Sequence, residues 1–265
     1  MYTFIQVFVI RSFAWLFFGA RLYGHQNIPR TGPVIIAANH LAAGETVILP
    51  SLIHRRVAFL AKAELFAGDR GPVSKLVAWF LRSVKMVPLD RTGGRDTLAA
   101  LRHAIDVLHE GGAVAMFPEG TRSPDGRLYK GKTGVARLAL ATGAPVVPIG
   151  LVNTPARRTR IGIRWYWRPE ARAGEPLRFD RYLGRAEDRE VVRYVTDEIM
   201  AAIQSLTGQE YVDVYASGVK HGRITPAEAD ARVLPRPGHG RSAPAIVDAP
   251  PDPPASAGAT GDKSP

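Results

Sequence analysis

The 265-residue chain has no cysteine. That excludes a disulfide framework, a thiolate metal site and a cysteine nucleophile, and it leaves the redox compartment unspecified. A bilayer-spanning run is missing as well. Arg11 splits the apolar opening MYTFIQVFVIRSFAWLFFGARLYG into two uncharged stretches, each short of the ~20 residues that a spanning helix needs. The opening has no positive n-region and no small-x-small cleavage site, so it does not read as a secretory signal. His-Glu-x-x-His is absent, and histidines and carboxylates are not grouped at ligand spacing. Arg91-Thr92-Gly93-Gly94-Arg95 lacks the Gly-Lys-Ser/Thr ending of a phosphate loop. Neither a metal nor a cofactor is expected. Acidic residues are few, 24 against 35 basic, and the net charge of +11 favours anionic partners such as nucleic acid, phospholipid headgroups or phosphorylated substrates.

What is present is enough apolar material, 46%, for a sizeable core. In residues 1–23, Thr3, Gln6, Arg11 and Arg21 gather on one side of a helical projection, with Phe4, Phe8 and Trp15 among the residues covering the rest. That pattern predicts an amphipathic helix lying in a membrane interface, and it equally fits a terminal helix packed on the domain.

Strand and helix signals then alternate. Pro33–Ala38, Arg56–Ala61, Lys85–Leu89, Ala113–Phe117 and Pro145–Gly150 read as strands, most of them apolar throughout. Val73–Val84, Arg95–Glu110, Thr133–Ala141 and Glu187–Leu206 have helical spacing, the last three running out at glycines. Arg160–Arg168 alternates like an antiparallel or edge strand. The order predicts an α/β fold, a mostly parallel sheet flanked by helices, over residues 24–208. Residues 209–234 have room for a short docked helix. From Pro235 to Pro265, eight prolines in 31 residues predict a disordered tail.

Four segments stand at the ends of predicted strands, where α/β folds place ligand residues. His40 is followed by Glu45; on a continuous helix the two would lie 140° apart by the ~100° step, so a turn, helped by Gly44, must bring them together. The carboxylate can then hold one imidazole nitrogen while the other takes a proton from an alcohol. Phe117-Pro118-Glu119-Gly120-Thr121-Arg122-Ser123 combines a carboxylate, a close-approach glycine, a hydroxyl and a guanidinium, as a phosphate-bearing alcohol would require. Val87-Pro88-Leu89-Asp90-Arg91 supplies a second arginine, and Val147-Pro148-Ile149-Gly150 by itself is a core strand.

Taken in order, the four segments resemble the four blocks of the glycerolipid acyltransferases, the family that includes 1-acylglycerol-3-phosphate acyltransferase. The resemblance runs from about Gly24 to Pro176. It implies an O-acyltransferase that moves a fatty acyl group from a thioester donor, acyl-CoA or acyl-carrier protein, to a lysophospholipid hydroxyl. In that reading His40 is the general base and Glu45 orients and charges it. Arg91 and Arg122 clamp the acceptor phosphate; Asn39, Glu119, Gly120 and Thr121 line the acceptor site; Lys132 adds a cation before a helix N-terminus. The donor thioester is attacked directly, in keeping with the absence of cysteine. One departure stands out: the family's first block usually ends in Asp, here Glu45.

Two other classes compete. A catalytically inactive peripheral lipid-binding module of the same fold has only the Glu45 departure in its favour. Nucleic-acid binding has the charge and Arg157-Arg158-Thr159-Arg160 followed by Trp165-Tyr166-Trp167, a stripe that fits a membrane-interface strand at least as well. The expected partners are therefore a lysophospholipid, an acyl thioester and an anionic membrane surface, with no nucleic acid. The expected location is the cytoplasmic face of a membrane, peripheral or monotopic.

Overall fold

The chain enters its central sheet at Arg21–Tyr23 (β1). The computed structural model describes residues 19–62, 69, 71, 74–75, 87–89, 94–155, 157–158, 164–165 and 168–246. Val34–Ala38 (β2) is apolar on both faces because both are covered, and all five of its residues are buried. It pairs parallel with Ala113–Met116 (β5) on one side and Val146–Val152 (β7) on the other. Beyond β5 lie Val57–Lys62 (β3) and Val87–Leu89 (β4), again parallel. Beyond β7, Glu170–Ala173 (β10) runs antiparallel and β1 closes the edge parallel to it, giving the order β1-β10-β7-β2-β5-β3-β4.

Helices cover both faces. Glu45–Leu52 (α1) packs Ile48, Leu49 and Leu52 against the face carrying Val34, Ile36 and Val147. Gly94–His109 (α2), Gly134–Thr142 (α3) and Arg189–Thr207 (α4) cover the opposite face, where Ile35, Ala37, Val114 and Val146 meet Leu108, Leu138, Val195 and Ile199. α4 opens on Asp188, whose carboxylate accepts from the Glu190 and Val191 N–H groups. α3 and α4 end at Gly143 and Gly208, as their spacing predicts.

A smaller sheet sits at the strand ends. Leu128–Tyr129 (β6) pairs parallel with Tyr211–Val212 (β11), which pairs antiparallel with Val233–Leu234 (β12). Ala216–Lys220 (α5) and Pro226–Asp230 (α6) connect the last two strands. α6 is started by a capping box between Thr225 and Glu228.

Two elements differ from expectation. Residues 21–23 belong to β1 rather than to the opening helix, because β10 offers them a partner that no local pattern reveals; the rest of that helix, residues 1–18, lies outside the described residues. Within the antiparallel or edge strand expected over 160–168, the described Arg164–Trp165 (β9) pairs antiparallel with Arg157–Arg158 (β8). The tail expected to be disordered from Pro235 is held as far as residue 246. Arg236 pairs with Glu198 at 2.6 Å, Arg241 with Asp197 at 2.6 Å, and the buried Tyr182 hydroxyl donates to the Pro244 carbonyl at 2.9 Å. Most of the Val73–Val84 helix also lies outside the described residues.

Candidate functional site

Loops converge at the C-terminal ends of the parallel strands, where an open α/β sheet presents its ligand residues. β2 runs out into Asn39 and His40, β5 into Phe117-Pro118-Glu119-Gly120, and β7 into the stretch holding Thr154; α1 begins at Glu45.

His40 Nδ1 lies 2.7 Å from Glu45 Oε2. The Glu45 carboxylate also accepts from the Leu41 N–H, at 3.1 and 3.0 Å to its two oxygens, and from the Thr154 hydroxyl. Each of these partners can donate to the carboxylate, an arrangement that puts a proton on Nδ1 and, in the neutral imidazole, leaves the lone pair on Nε2. The intervening turn is closed by the Glu45 N–H on the Ala42 carbonyl at 3.3 Å. Gly44 has a φ of −66°, open to any residue, so the turn does not use the freedom expected of that glycine. The Phe117 ring stacks on the imidazole with centroids 4.0 Å apart and planes at 11°. Only 11% of the His40 side chain remains exposed.

Glu119 and Asn39, expected to line the acceptor site, direct their side-chain polar atoms to the protein's own backbone and to Gln209. Glu119 is buried, its Oε1 accepting from the His40 N–H at 2.9 Å and its Oε2 from the Tyr129 N–H at 3.1 Å. Burial pushes its carboxyl up to about 8; the two backbone N–H groups oppose that rise, and the neighbouring Glu45 charge adds to it. The His40 carbonyl accepts from the Ser123 N–H at 2.8 Å, so the Glu119–Ser123 turn grips the backbone of His40 at both its donor and its acceptor. Asn39 is fully buried. Its Oδ1 accepts from the Leu151 N–H at 2.6 Å, and its Nδ2 donates to the Leu151 carbonyl at 3.0 Å and to Gln209 Oε1 at 2.9 Å. Both brace the segments around His40, Glu119 through the His40 N–H and Asn39 through Leu151 of β7.

The cationic side gathers on the same turn. Gly120 has a φ of +71°, and a Cβ there would lie 2.9 Å from Lys132 Cε. Lys132 is anchored by its own N–H on the Pro118 carbonyl at 2.8 Å, and its side chain therefore runs alongside Gly120. Thr121 is half-buried and Arg122 is exposed. Arg91 lies outside the described residues. Among those described, no group of three His, Cys, Asp or Glu is placed to hold a metal, and no helix is long and apolar enough to cross a membrane.

Sequence reasoning missed Thr154, Gln209 and the stacking of Phe117. Phe117 adjoins a strand end and was legible as part of its block. Thr154 and Gln209 are 109 and 170 residues from their partners, and no spacing rule connects them.

The family model described as Acyltransferase matches residues 19–152. A chloroplastic 1-acyl-sn-glycerol-3-phosphate acyltransferase of Brassica napus is 33% identical over 139 residues, covering 52% of this chain and 38% of the relative. The 1-acyl-sn-glycerol-3-phosphate acyltransferase of Borreliella burgdorferi is 35% identical over 131 residues, 49% of this chain and 50% of the relative. The matched part of the chain thus spans half or less of the length of these relatives. Among solved structures, the 1-acyl-sn-glycerophosphate (LPA) acyltransferase PlsC from Thermotoga maritima superposes with a TM-score of 0.55 at 27% identity, covering 77% of this chain and 78% of that one.

Proposed function

The chain belongs to the acyltransferase family, and from that premise we propose that it moves a fatty acyl group from a thioester donor to the free hydroxyl of lysophosphatidic acid or a similar lysolipid. His40 Nε2 takes the hydroxyl proton while the acceptor oxygen attacks the thioester carbonyl. Collapse of the tetrahedral adduct breaks the carbon–sulfur bond, and the imidazolium proton leaves with the thiol. Glu45 holds the tautomer that makes Nε2 basic and stabilises the imidazolium as it forms. The step needs no cofactor and no acyl-enzyme. Arg122 and Lys132, with Arg91 by resemblance, receive the acceptor phosphate.

The observation that carries this reading is the 2.7 Å pairing of His40 Nδ1 with a buried Glu45, because it leaves Nε2 as the proton acceptor. The assembled pair speaks against an inactive module. The apolar segment 1–18 and the +11 charge support attachment to the cytoplasmic surface of an anionic bilayer, where the lipid acceptor resides.

The test is acyl transfer by purified protein from acyl-CoA and from acyl-carrier protein to a panel of lysolipids, with His40→Ala alongside. Transfer to lysophosphatidic acid should fall by about 10²–10⁴ in the variant, the usual contribution of a positioned base. Transfer only to another acceptor would retain the reaction and replace the substrate. Absence of any His40-dependent transfer, from either carrier, would overturn the proposal.

A further inference from the structure

The stretch that follows α4 lies beyond residues 19–152 of the family match, yet one of its side chains, that of Gln209, reaches the segment carrying the base. The Gln209 backbone is anchored. α4 ends at Gly208 in the left-handed conformation, with a φ of 70°. The Gln209 N–H donates to Thr207 Oγ1 at 3.3 Å, and its carbonyl accepts from Gln204 Nε2 at 3.2 Å. The next carbonyl, of Glu210, accepts from the Leu128 N–H at 2.9 Å, just before β11 pairs with β6.

The Gln209 amide joins two of the four sequence blocks. Oε1 accepts from Asn39 Nδ2 at 2.9 Å, and Nε2 donates to the Gly126 carbonyl at 2.6 Å. Its orientation is set by its partners, because an amide nitrogen only donates and a carbonyl only accepts. From Gly126 the bonds lead back to the base: the Gly126 N–H donates to Ser123 Oγ at 2.9 Å, and the Ser123 N–H to the His40 carbonyl at 2.8 Å. Asn39 and His40 are neighbours in the chain, so these four bonds close a ring through Asn39, Gln209, Gly126, Ser123 and His40. The Glu119 and Ser123 bonds attach the turn to the base strand at one residue, His40. Gln209 adds a separate attachment at Gly126, and fixing at two points holds the turn against pivoting. We propose that Gln209 is a positioning residue for the acyl-transfer reaction: it sets the register between His40 Nε2, which takes the hydroxyl proton, and the Thr121–Arg122 turn, which receives the acceptor. The inference rests on the acyl-transfer reading above. Gln209 acts through Asn39 and Gly126, so its loss leaves the pairing of His40 with Glu45 in place and spoils the mutual placement of base and acceptor. A misplacement of about 1 Å can cost about 100-fold in rate.

The experiment compares wild type, Gln209→Met, Gln209→Glu, Ser123→Ala and the double variant Gln209→Met with Ser123→Ala. Acyl transfer to lysophosphatidic acid gives kcat and KM, thermal midpoints report the fold, and amide hydrogen exchange reports the 123–126 turn. Gln209→Met keeps the side-chain length and removes both bonds. Its kcat should fall about 10-fold with KM changed by less than about 2-fold, and its kcat–pH profile should keep the wild-type inflection, because the His40–Glu45 pair is untouched. Exchange at the Gly126 N–H should quicken while that of α4 stays as in wild type. Ser123→Ala opens the same ring elsewhere, so kcat should fall by a similar factor, and the double variant should fall little below the lower single variant. Gln209→Glu retains an acceptor for Asn39 but sets a carboxylate oxygen against the Gly126 carbonyl, so at neutral pH it should be as impaired as Gln209→Met. Unchanged kcat in Gln209→Met overturns the proposal. So does a loss that multiplies with that of Ser123→Ala, a wild-type rate in Gln209→Glu, or a deficit that vanishes when the assay is run well below the thermal midpoint. If wild type transfers no acyl group, the acyl-transfer reading falls; faster exchange confined to the 123–126 turn in Gln209→Met would then still support the tether, and unchanged exchange would remove it.

Discussion

In the proposed reaction Glu45 is the residue on which His40 depends, and its donors predict what each substitution does. Glu45→Gln replaces the acceptor that fixes the His40 tautomer, and acyl transfer should fall about 100-fold or more, read as kcat. Thr154→Val removes only the hydroxyl that restrains Glu45, so a smaller drop in kcat, about 10-fold, with little change in KM is expected. Glu119 titrates in the opposite sense from a salt-bridged carboxylate. Its pKa is raised on folding to about 8 from an ordinary 4.5, so the folded state holds a proton that the unfolded chain has released between those values. Its contribution to stability is favourable below about 4.5, diminishes as pH rises to about 8, and is flat above that. Thermal midpoints between pH 5 and 8 should decline for wild type. In Glu119→Gln, lower throughout for want of one acceptor to the His40 or Tyr129 N–H, this part of the slope should vanish; an unaltered slope would assign it to other groups.

At the scale of elements, the site depends on how closely β2, β5 and β7 are locked. Asn39 bridges β2 to β7 through both backbone groups of Leu151. Asn39→Ala leaves those groups without their partner in a dry interior and should cost about 2–4 kcal/mol, measured by denaturant unfolding. Gly150 marks the crossing of α4 over β7, since a Cβ there would lie 2.7 Å from Leu206 Cβ. Gly150→Ala should therefore destabilise by about 1–3 kcal/mol through displacement of α4, an overpacking effect. Neither feature is visible locally. Val-Pro-Ile-Gly reads as any core strand, and an asparagine after a strand reads as any turn. The parallel strands themselves were legible, because burial on both faces enforces uninterrupted apolar runs that few other settings tolerate. The two-residue strands β6, β11 and β12 were not, since so short a segment carries no period to read.

Across the whole molecule, the C-terminal stretch is tied to α4 through Glu198, Asp197 and Gln204. Arg193 donates to Asp197 at 2.5 Å and to the Gly131 carbonyl at 2.7 Å, next to Lys132, and Arg241 supplies the second cation of buried Asp197. Deleting residues 235–265 removes Arg241 and leaves Asp197 half-compensated. The shortened chain should lose about 2 kcal/mol of stability, read as a lower denaturant midpoint. The sequence by itself determined the mostly parallel α/β class, the strand ends where the motifs sit and the pairing of His40 with Glu45, because strand burial and short loops write themselves as local patterns. Only the tertiary structure decided that Asn39 bonds Leu151 and Gln209, that Glu119 holds the His40 N–H, that Thr154 donates to Glu45, and that Lys220 reaches Thr121. Those roles are set by which buried donors and acceptors meet across 79 to 170 residues of chain. Chain spacing carries no information about such meetings, whereas the requirement that every buried polar group find a partner settles them once the layers close.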